Sequence, residues 1–318
     1  MRLLPLTLLF LFFINPILAN DFAAVDRAVK AYPNSFSAPQ QLADRINRDF
    51  KDPADKARAI YSWIAFNVRY DLSEMRSLRD GRVAFTYSDE RDKQLKLRKY
   101  NLDLANKTLR TGKGVCRGYA ALFDVVAYLT GLEATTIPGT SKTSPAHIGK
   151  MPVSSDHIWN AVLINGNWEM LDVTWASGAV NTDSGKFESK FNPGYFFTNP
   201  YIFFLNHYPD DESWLPKDLN ASIFAKLPLF YGNYINADYT VTFPQSGTLP
   251  SGYIVPLKFE NLNTDKIAYT IGGGPLQIAE AVKQGTASVF EIPIEKQARG
   301  YLTVYVGHDC VVTYKIEK

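Results

Sequence analysis

The amino-acid sequence predicts an α+β fold, in which helices precede an antiparallel sheet, followed by a small all-β sandwich. Two stretches before residue 131 carry apolar residues at helical spacing. An Asn-Gly pair at 165–166 separates two runs of alternating apolar residues, which is the strongest short-range signal for a hairpin. Beyond residue 238, short β-type runs alternate with proline, glycine and asparagine, as in a sandwich.

The helix that precedes the central region is predicted to begin at Asp52-Pro53. Aspartate caps a helix N-terminus, and proline fits the first helical turn. The buried stripe of this helix is predicted to be formed by Ile60, Trp63, Ile64 and Val68. Residues 72–110 are charged and only weakly periodic, so they predict a mixture of helix and loop.

Cys116 follows a glycine-punctuated loop, Thr111-Gly-Lys-Gly-Val, and begins the next predicted helix. Apolar residues then recur at i, i+3, i+4 and i+7, namely Leu122, Val125, Val126 and Leu129. A cysteine on the first turn lies at the positive end of the helix dipole, which favours the nucleophilic thiolate form. Cys116 is therefore the candidate nucleophile, although an isolated cysteine at a helix start is more often a small buried residue.

His157 and Asp172 flank the predicted hairpin. A type I′ turn with Asn165 and Gly166 as its loop sets the register of the two strands. In that register Trp159 lies opposite Asp172, and His157 is a diagonal neighbour of Asp172 on the same, mostly apolar face. A slip of one residue would place the two polar side chains on opposite faces of the sheet.

These residues have the chemistry of a thiol catalytic triad. An imidazole next to a thiol promotes its ionisation and later protonates the leaving amine, and a carboxylate orients and supports the imidazolium. The backbone N–H of Cys116 is a natural oxyanion donor, because the first N–H groups of a helix have no partner within it. Candidates for a second donor, with no order among them, are Trp159, Tyr119 and Asn160.

Three segments resemble the core motifs of the transglutaminase-like superfamily, namely Gly114-Val-Cys-Arg-Gly-Tyr-Ala, His157-Ile-Trp-Asn-Ala-Val and Trp168-Glu-Met-Leu-Asp-Val-Thr-Trp. Residues 57–71 are similar to the helix that typically precedes them. Residues 195–214 resemble the trailing segment of the subgroup that includes kyphoscoliosis peptidase and bacterial relatives. The resemblance implies a cysteine-protease-like fold. It also implies Cys116 as nucleophile, His157 as base and Asp172 as orienting acid.

Three aromatic residues lie close to the triad positions along the chain. Trp159, Tyr119 and Trp175 are predicted to be walls of a binding groove or parts of the core, and not reactive groups. The remaining histidines share no short metal-ligand spacing with one another or with the cysteines. The sequence therefore predicts no metal and no cofactor.

Residues 1–19 are predicted to be a secretory signal peptide. Arg2 is followed by a short apolar run, and small residues permit cleavage after Ala19. The run is too short for a comfortable membrane span, so we expect a secreted or periplasmic protein without a stable span after cleavage. An uncleaved anchor is the alternative.

Charge and cysteine content narrow the possible partners. The chain has 34 Lys and Arg against 32 Asp and Glu, and this balance argues against a nucleic-acid partner. An exported protein with two cysteines could form a disulfide. A bridge to Cys116 would block the thiol, however, so we expect Cys310 to be a buried structural residue.

The predicted domains are a transglutaminase-like domain over residues 20–222 and an Ig-like β-sandwich over residues 223–318. The predicted function is that of an exported thiol enzyme which cleaves peptide or isopeptide amides, or transfers their acyl group, through a thioester. Its substrate would be a protein or peptide. The alternative is a catalytically silent transglutaminase-like interaction module. In either case the C-terminal domain could dock a partner.

Overall fold

The computed structural model describes residues 2–3, 22–77, 86–181 and 184–317. The predicted signal peptide lies outside the described residues, apart from Arg2–Leu3 (β1), which pairs with a strand of the C-terminal region. Within these ranges, no helix combines the length and the apolar character that a bilayer span requires.

The chain divides into two compact units. The cysteine unit comprises Ala19–Gly139 and Ser155–Asn199. The β unit comprises Thr140–Ser154 and Pro200–Lys318, together with the described residues of Met1–Leu18. The domain boundary expected after residue 222 rests on a change in amino-acid composition. The two units are defined by spatial proximity instead, so the boundary stays a prediction.

The cysteine unit combines helices with short antiparallel strands. Its helices are α1 (Ala23–Lys30), α2 (Pro39–Asp49), α3 (Pro53–Asn67), α4 (Leu72–Ser77), α5 (Glu90–Thr111), α6 (Cys116–Leu129) and α7 (Val173–Ser177). Its strands are β2 (Arg69–Tyr70), β3 (Lys113–Gly114), β4 (Ala134–Ser141), β5 (His157–Ile164), β6 (Asn167–Leu171), β7 (Gly178–Val180) and β8 (Phe187–Ser189). The α+β arrangement predicted from the sequence is confirmed.

Local sequence signals determine where α3 and α6 begin and end. The Asp52 side chain accepts hydrogen bonds from Ala54 N and Asp55 N, which confirms the predicted cap of α3. The predicted stripe of α3 is buried throughout. Helix α6 begins at Cys116 and is followed by Gly131 with a φ of 82°, the left-handed conformation that glycine adopts without strain.

Helix α5 is longer and more regular than its sequence suggests. It is a single helix of 22 residues, capped by Asp89 and ended by Gly112 with a φ of 61°. Its buried residues are Ala105, Thr108 and Leu109, near its C-terminal end. Because most of the helix meets solvent, it carries little apolar periodicity, and the sequence therefore predicts it poorly.

The hairpin forms in the predicted register. Asn165 and Gly166 have φ values of 52° and 83°, as a type I′ turn requires. Ile164 lies opposite Asn167, and the ladder continues to the pair of Asn160 and Leu171. Strand β4 pairs with the other edge of β5, so His157 lies opposite Gly139. The backbone of His157 is thus positioned by its pairing with β4, beyond the end of the ladder between β5 and β6.

The β unit begins with short elements and continues as a large sheet. Its helices are α8 (Pro200–Phe203), α9 (Ala221–Lys226) and α10 (Gly232–Ile235). Its strands are β9 (His207–Pro209), β10 (Leu229–Phe230), β11 (Thr240–Phe243), β12 (Thr248–Pro250), β13 (Tyr253–Glu260), β14 (Lys266–Ile271), β15 (Gln277–Gln284), β16 (Ala287–Pro293), β17 (Gly300–Val306) and β18 (Asp309–Glu317). The predicted all-β region is confirmed.

The sheet of the β unit curls around one apolar core. Strand β15 pairs through its first half with β14 and through its second half with β16, so it links two groups of strands. Val255, Phe290, Val304 and Tyr314 are fully buried in the core between them. Strand β15 was not predicted, because its sequence mixes polar residues with Ile278 and other apolar side chains that stay exposed.

Candidate active site

Cys116 is the first residue of α6, and short main-chain pairings position the loop before it. Strands β2 and β3 are parallel, with Arg69 opposite Lys113 and Tyr70 opposite Gly114. Val115 has the extended conformation of an N-cap residue. The Cys116 side chain is half-buried and forms no disulfide. Its backbone N–H makes no hydrogen bond to another described residue, so it remains available to a ligand.

The glycines around Cys116 allow α5 to approach closely. A Cβ atom on Gly118 would lie 2.4 Å from Thr108 Oγ1, and one on Gly114 would lie 3.1 Å from the same atom. Glycine is therefore needed at Gly118 for packing, because Thr108 occupies the space of a side chain. The glycine-rich sequence before and after the cysteine thus reflects helix contact in addition to loop geometry.

His157 and Asp172 are buried together, in the arrangement predicted from the hairpin register. His157 Nε2 lies 2.7 Å from Asp172 Oδ2, and the two residues are 8% and 0% exposed. The other carboxylate oxygen, Asp172 Oδ1, accepts hydrogen bonds from Thr174 N at 2.8 Å and Trp175 N at 3.0 Å. Asp172 is therefore the N-cap of α7 as well as the partner of the histidine.

The surroundings of His157 favour its protonated form. Burial is the largest single influence and opposes protonation. The charge and hydrogen bond of Asp172, followed by the hydrogen bond and charge of Cys116, outweigh it and raise the pKa of His157 to about 10. The ring also stacks on Trp175, with centroids 5.4 Å apart, and lies 6.0 Å from Trp159.

Two of the three predicted groove residues lie deeper than a groove wall allows. Tyr119 and Trp159 are 0% and 1% exposed, so they belong to the interior, where their bulk fills the core. Trp175 is half-buried and keeps a surface beside His157. Asn160 is also buried, and its amide donates to Ala120 O of α6 at 3.1 Å.

These contacts narrow the choice of a second oxyanion donor. The Tyr119 hydroxyl donates to Val68 O at 2.8 Å. The Asn160 amide donates to two main-chain carbonyls, those of Ala120 and Thr135. Two of the three candidates from the sequence therefore already use their hydrogens within the fold. Asn160 also lies on the opposite face of β5 from His157, and this face contacts the cysteine helix.

Tyr70 was not considered from the sequence, although it belongs to the same site. Its backbone pairs with Gly114, two residues before Cys116. Burial raises the pKa of Tyr70, and the negative charges of Cys116 and Asp172 raise it further. A weak signal was present, since Tyr70 ends the segment that precedes the cysteine motif. Only the parallel pairing of β2 with β3, which has no signature in sequence, reveals the proximity.

A cavity of about 490 Å³ lies elsewhere in the cysteine unit. Its lining includes Lys30, Phe66, Arg69 and Ser189, and none of the three triad residues. The triad therefore lies outside this cavity. The three residues combine a half-buried thiol at a helix start, an imidazole whose pKa is raised, and a carboxylate held by main-chain N–H groups.

Comparison with known proteins finds relatives by sequence. The sequence profile of the Transglutaminase-like superfamily matches residues 40–173. Human kyphoscoliosis peptidase is 32% identical over 179 residues, which are 56% of this chain and 24% of that protein. The Caenorhabditis elegans Lim and transglutaminase domain protein ltd-1 is 27% identical over 225 residues, or 65% of this chain and 28% of the relative. The chain thus matches only about a quarter of the length of these relatives.

Among solved structures, one described as the crystal structure of a TGase is 16% identical to this chain, with a TM-score of 0.30. The alignment covers 57% of this chain and 40% of the TGase chain. The match of the family profile includes Cys116, His157 and Asp172. The two relatives align with more than half of the chain. Over residues 40–173, this chain matches the transglutaminase-like superfamily.

Proposed function

We propose that this chain is an exported thiol enzyme that cleaves peptide or isopeptide amides, or transfers their acyl group, with Cys116, His157 and Asp172 as its triad. One observation carries the proposal. His157 is buried, hydrogen-bonds to Asp172 at 2.7 Å, and also hydrogen-bonds to the Cys116 thiol group at the N-terminus of α6. A thiol, an imidazole and a carboxylate in series are the components of nucleophilic acyl transfer.

The reaction has two stages. The Cys116 thiolate attacks the amide carbon, a C–S bond forms, and the carbonyl π electrons move to the oxygen. When the carbonyl re-forms, the C–N bond breaks and the leaving amine takes a proton from His157, which leaves a thioester on Cys116. Water or a second amine then attacks the thioester and gives a proton to His157, the C–S bond breaks, and the thiolate departs. Water gives hydrolysis, whereas an amine gives a new amide.

Hydrolysis is the favoured outcome of the second stage. One relative, 32% identical over 179 residues, is named a peptidase. The predicted signal peptide supports action outside the cytoplasm. The charge balance and the position of the site suit a protein or peptide substrate rather than a nucleic acid.

The nucleophile can be tested by alkylation. Iodoacetamide at neutral pH should label Cys116 much faster than Cys310, because burial raises the pKa of Cys310 to about 11. His157→Ala should slow the labelling of Cys116, since its ionised form loses the neighbouring imidazolium. His308→Ala, at an exposed histidine of the β unit, is the control and should have no effect.

Each rate can be followed by peptide mass mapping. Equal, slow labelling of both cysteines would contradict an activated nucleophile at Cys116. An unchanged rate in His157→Ala would mean that the two side chains do not act together, which would favour the silent interaction module.

The acyl acceptor can be identified with a panel of peptide amides incubated with and without a primary amine. We expect hydrolysis to continue when the amine is present. Dominant incorporation of the amine would instead identify an acyltransferase. A protein in which Cys116 is readily alkylated but no peptide amide is turned over would be a binding module for the same ligands.

A further inference from the structure

Tyr70 lies beside the nucleophile, although the triad chemistry does not use it. It is the second residue of β2 and pairs with Gly114, two positions before Cys116. Its chain neighbours donate main-chain hydrogen bonds of 2.9 Å to Gly112 O and Gly114 O. These bonds tie the backbone of Tyr70 to the loop that begins α6, so its position relative to the Cys116 N–H is set by the fold.

The Tyr70 hydroxyl is available as a donor. The ring is half-buried and lies 6.3 Å from that of Phe187, centroid to centroid. Among the described residues, no hydrogen-bond partner is found for its hydroxyl. Two buried tyrosines of the same unit differ in this respect, because Tyr61 donates to Asn192 O and Tyr119 donates to Val68 O. A half-buried phenol without a protein acceptor can donate to a ligand.

The charges around Tyr70 keep its proton in place. Burial disfavours the phenolate, and the negative charges of Cys116 and Asp172 disfavour it further, so the pKa of Tyr70 lies above its usual value. An oxyanion donor must remain protonated while negative charge develops in front of it. Tyr70 meets this condition at any pH at which the triad works.

We propose that Tyr70 is a catalytic residue whose phenolic O–H donates the second hydrogen bond to the oxyanion, beside the backbone N–H of Cys116. The inference rests on the acyl-transfer function proposed above and deepens it. As the thiolate forms the C–S bond, the carbonyl π pair moves to the oxygen, which accepts both hydrogen bonds. When the C–N bond breaks, the pair returns to the carbonyl, and the Tyr70 proton stays on its own oxygen throughout.

Two small electrophiles separate this role from a structural one. Acetylation of Cys116 by p-nitrophenyl acetate passes through a tetrahedral oxyanion and releases p-nitrophenolate. Alkylation by iodoacetamide displaces iodide from a saturated carbon and forms no oxyanion. Tyr70→Phe should slow acetylation by about 100-fold, as the loss of one oxyanion donor does, and should leave alkylation unchanged.

Two further variants complete the test. Tyr128→Phe changes a tyrosine of α6 that is 80% exposed, and it should match the wild type with both reagents. Tyr70→His places an N–H donor at the same position, so it should recover part of the acetylation rate that Tyr70→Phe loses. Thermal melting monitored by circular dichroism identifies any variant that is not folded.

Several outcomes would overturn the proposal. Acetylation of Tyr70→Phe at the wild-type rate would show that the phenol is not a donor, and equal slowing with both reagents would indicate a structural role. A Tyr70→His rate no higher than that of Tyr70→Phe would also count against a donor. If wild-type Cys116 is alkylated but never acetylated, the acyl-transfer function itself fails, and the donor role fails with it.

Discussion

At the residue scale, Asp172 performs two tasks with its two oxygens. Oδ1 accepts the main-chain N–H groups of Thr174 and Trp175, whereas Oδ2 faces His157. The hydrogen bonds from these two main-chain N–H groups fix the carboxylate within hydrogen-bonding distance of the imidazole. The start of α7 therefore orients His157, the proposed base. This double use explains why a charged residue with no solvent exposure is tolerated.

Asparagine and alanine at position 172 should separate these two tasks. Asp172→Asn keeps an oxygen for the cap but loses the charge, whereas Asp172→Ala loses both. Both variants should lower turnover by about 100-fold or more. Only the alanine variant should lose the cap, so it should be less stable than Asp172→Asn by at least about 1 kcal/mol. Urea unfolding checks the stabilities, and equal stabilities would contradict the capping role.

The protonation of His157 also predicts a pH dependence. The pKa of His157 is raised to about 10, so the ring carries the proton for the leaving amine at neutral pH. As pH rises through about 10 this proton is lost, and kcat/KM for a peptide amide should fall. Asp172→Asn should move the fall to lower pH, since the carboxylate favours the imidazolium. If kcat/KM falls at the same pH in the wild type and in Asp172→Asn, the fall reports the titration of a group other than His157.

At the scale of secondary-structure elements, the contact between α5 and α6 positions the nucleophile. Thr108 of α5 fits against Gly114 and Gly118, which lie on either side of Cys116. Close approach of two helices requires a residue without a side chain at the contact. The end of α5 therefore supports the loop that presents the thiol.

Gly118→Ala tests this contact. Helix propensity alone would make alanine more stable than glycine by about 1 kcal/mol. The new Cβ would lie 2.4 Å from Thr108 Oγ1, and overpacking costs about 1–3 kcal/mol. We expect a net loss of stability in urea unfolding and slower alkylation of Cys116.

Thr108→Ala removes the obstructing atom and provides the control. The double variant should recover the stability that Gly118→Ala loses, which a double-mutant cycle measures. If Gly118→Ala stabilises the protein in the wild-type background, helix propensity outweighs the clash, and the packing explanation is wrong.

At the scale of the whole molecule, the β unit contains an unusual buried charge. Lys142 is 1% exposed, and its Nζ donates to Phe224 O at 2.6 Å and Leu227 O at 2.8 Å. The ammonium also lies 4.7 Å from the centroid of the Phe224 ring. No carboxylate pairs with it among the described residues, so burial lowers the pKa of Lys142 to about 7.

This group makes the stability of the protein depend on pH. Between about 7 and 10.5 the unfolded chain binds one more proton at Lys142 than the folded chain does. Stability attributable to this group must therefore rise with pH across that window. The difference in melting temperature between wild type and Lys142→Met should grow in favour of the wild type from pH 7 to pH 10. A difference that is constant with pH would mean that Lys142 titrates normally.

The sequence by itself determined much of the local structure. The Asp52-Pro53 cap, the start of α6 at Cys116 and the Asn165-Gly166 turn depend on residues close together in the chain, and each forms as predicted. The register of the hairpin follows from its turn, so the pairing of His157 with Asp172 was also predictable. Because side chains alternate with a period of two, a slip of one residue would have placed the two on opposite faces.

Tertiary structure decided the features that depend on distant segments. Helix α5 is a regular helix with little periodicity, because only its C-terminal end meets the core. The sequence left Tyr119 and Trp159 as groove walls or core residues. Their burial reflects packing on more than one side, which a single strand or helix cannot reveal. The parallel pairing of β2 with β3 places Tyr70 opposite Gly114, two residues before Cys116, the proposed nucleophile. Neighbouring residues encode turns, caps and registers, whereas only folding brings such distant side chains to one site.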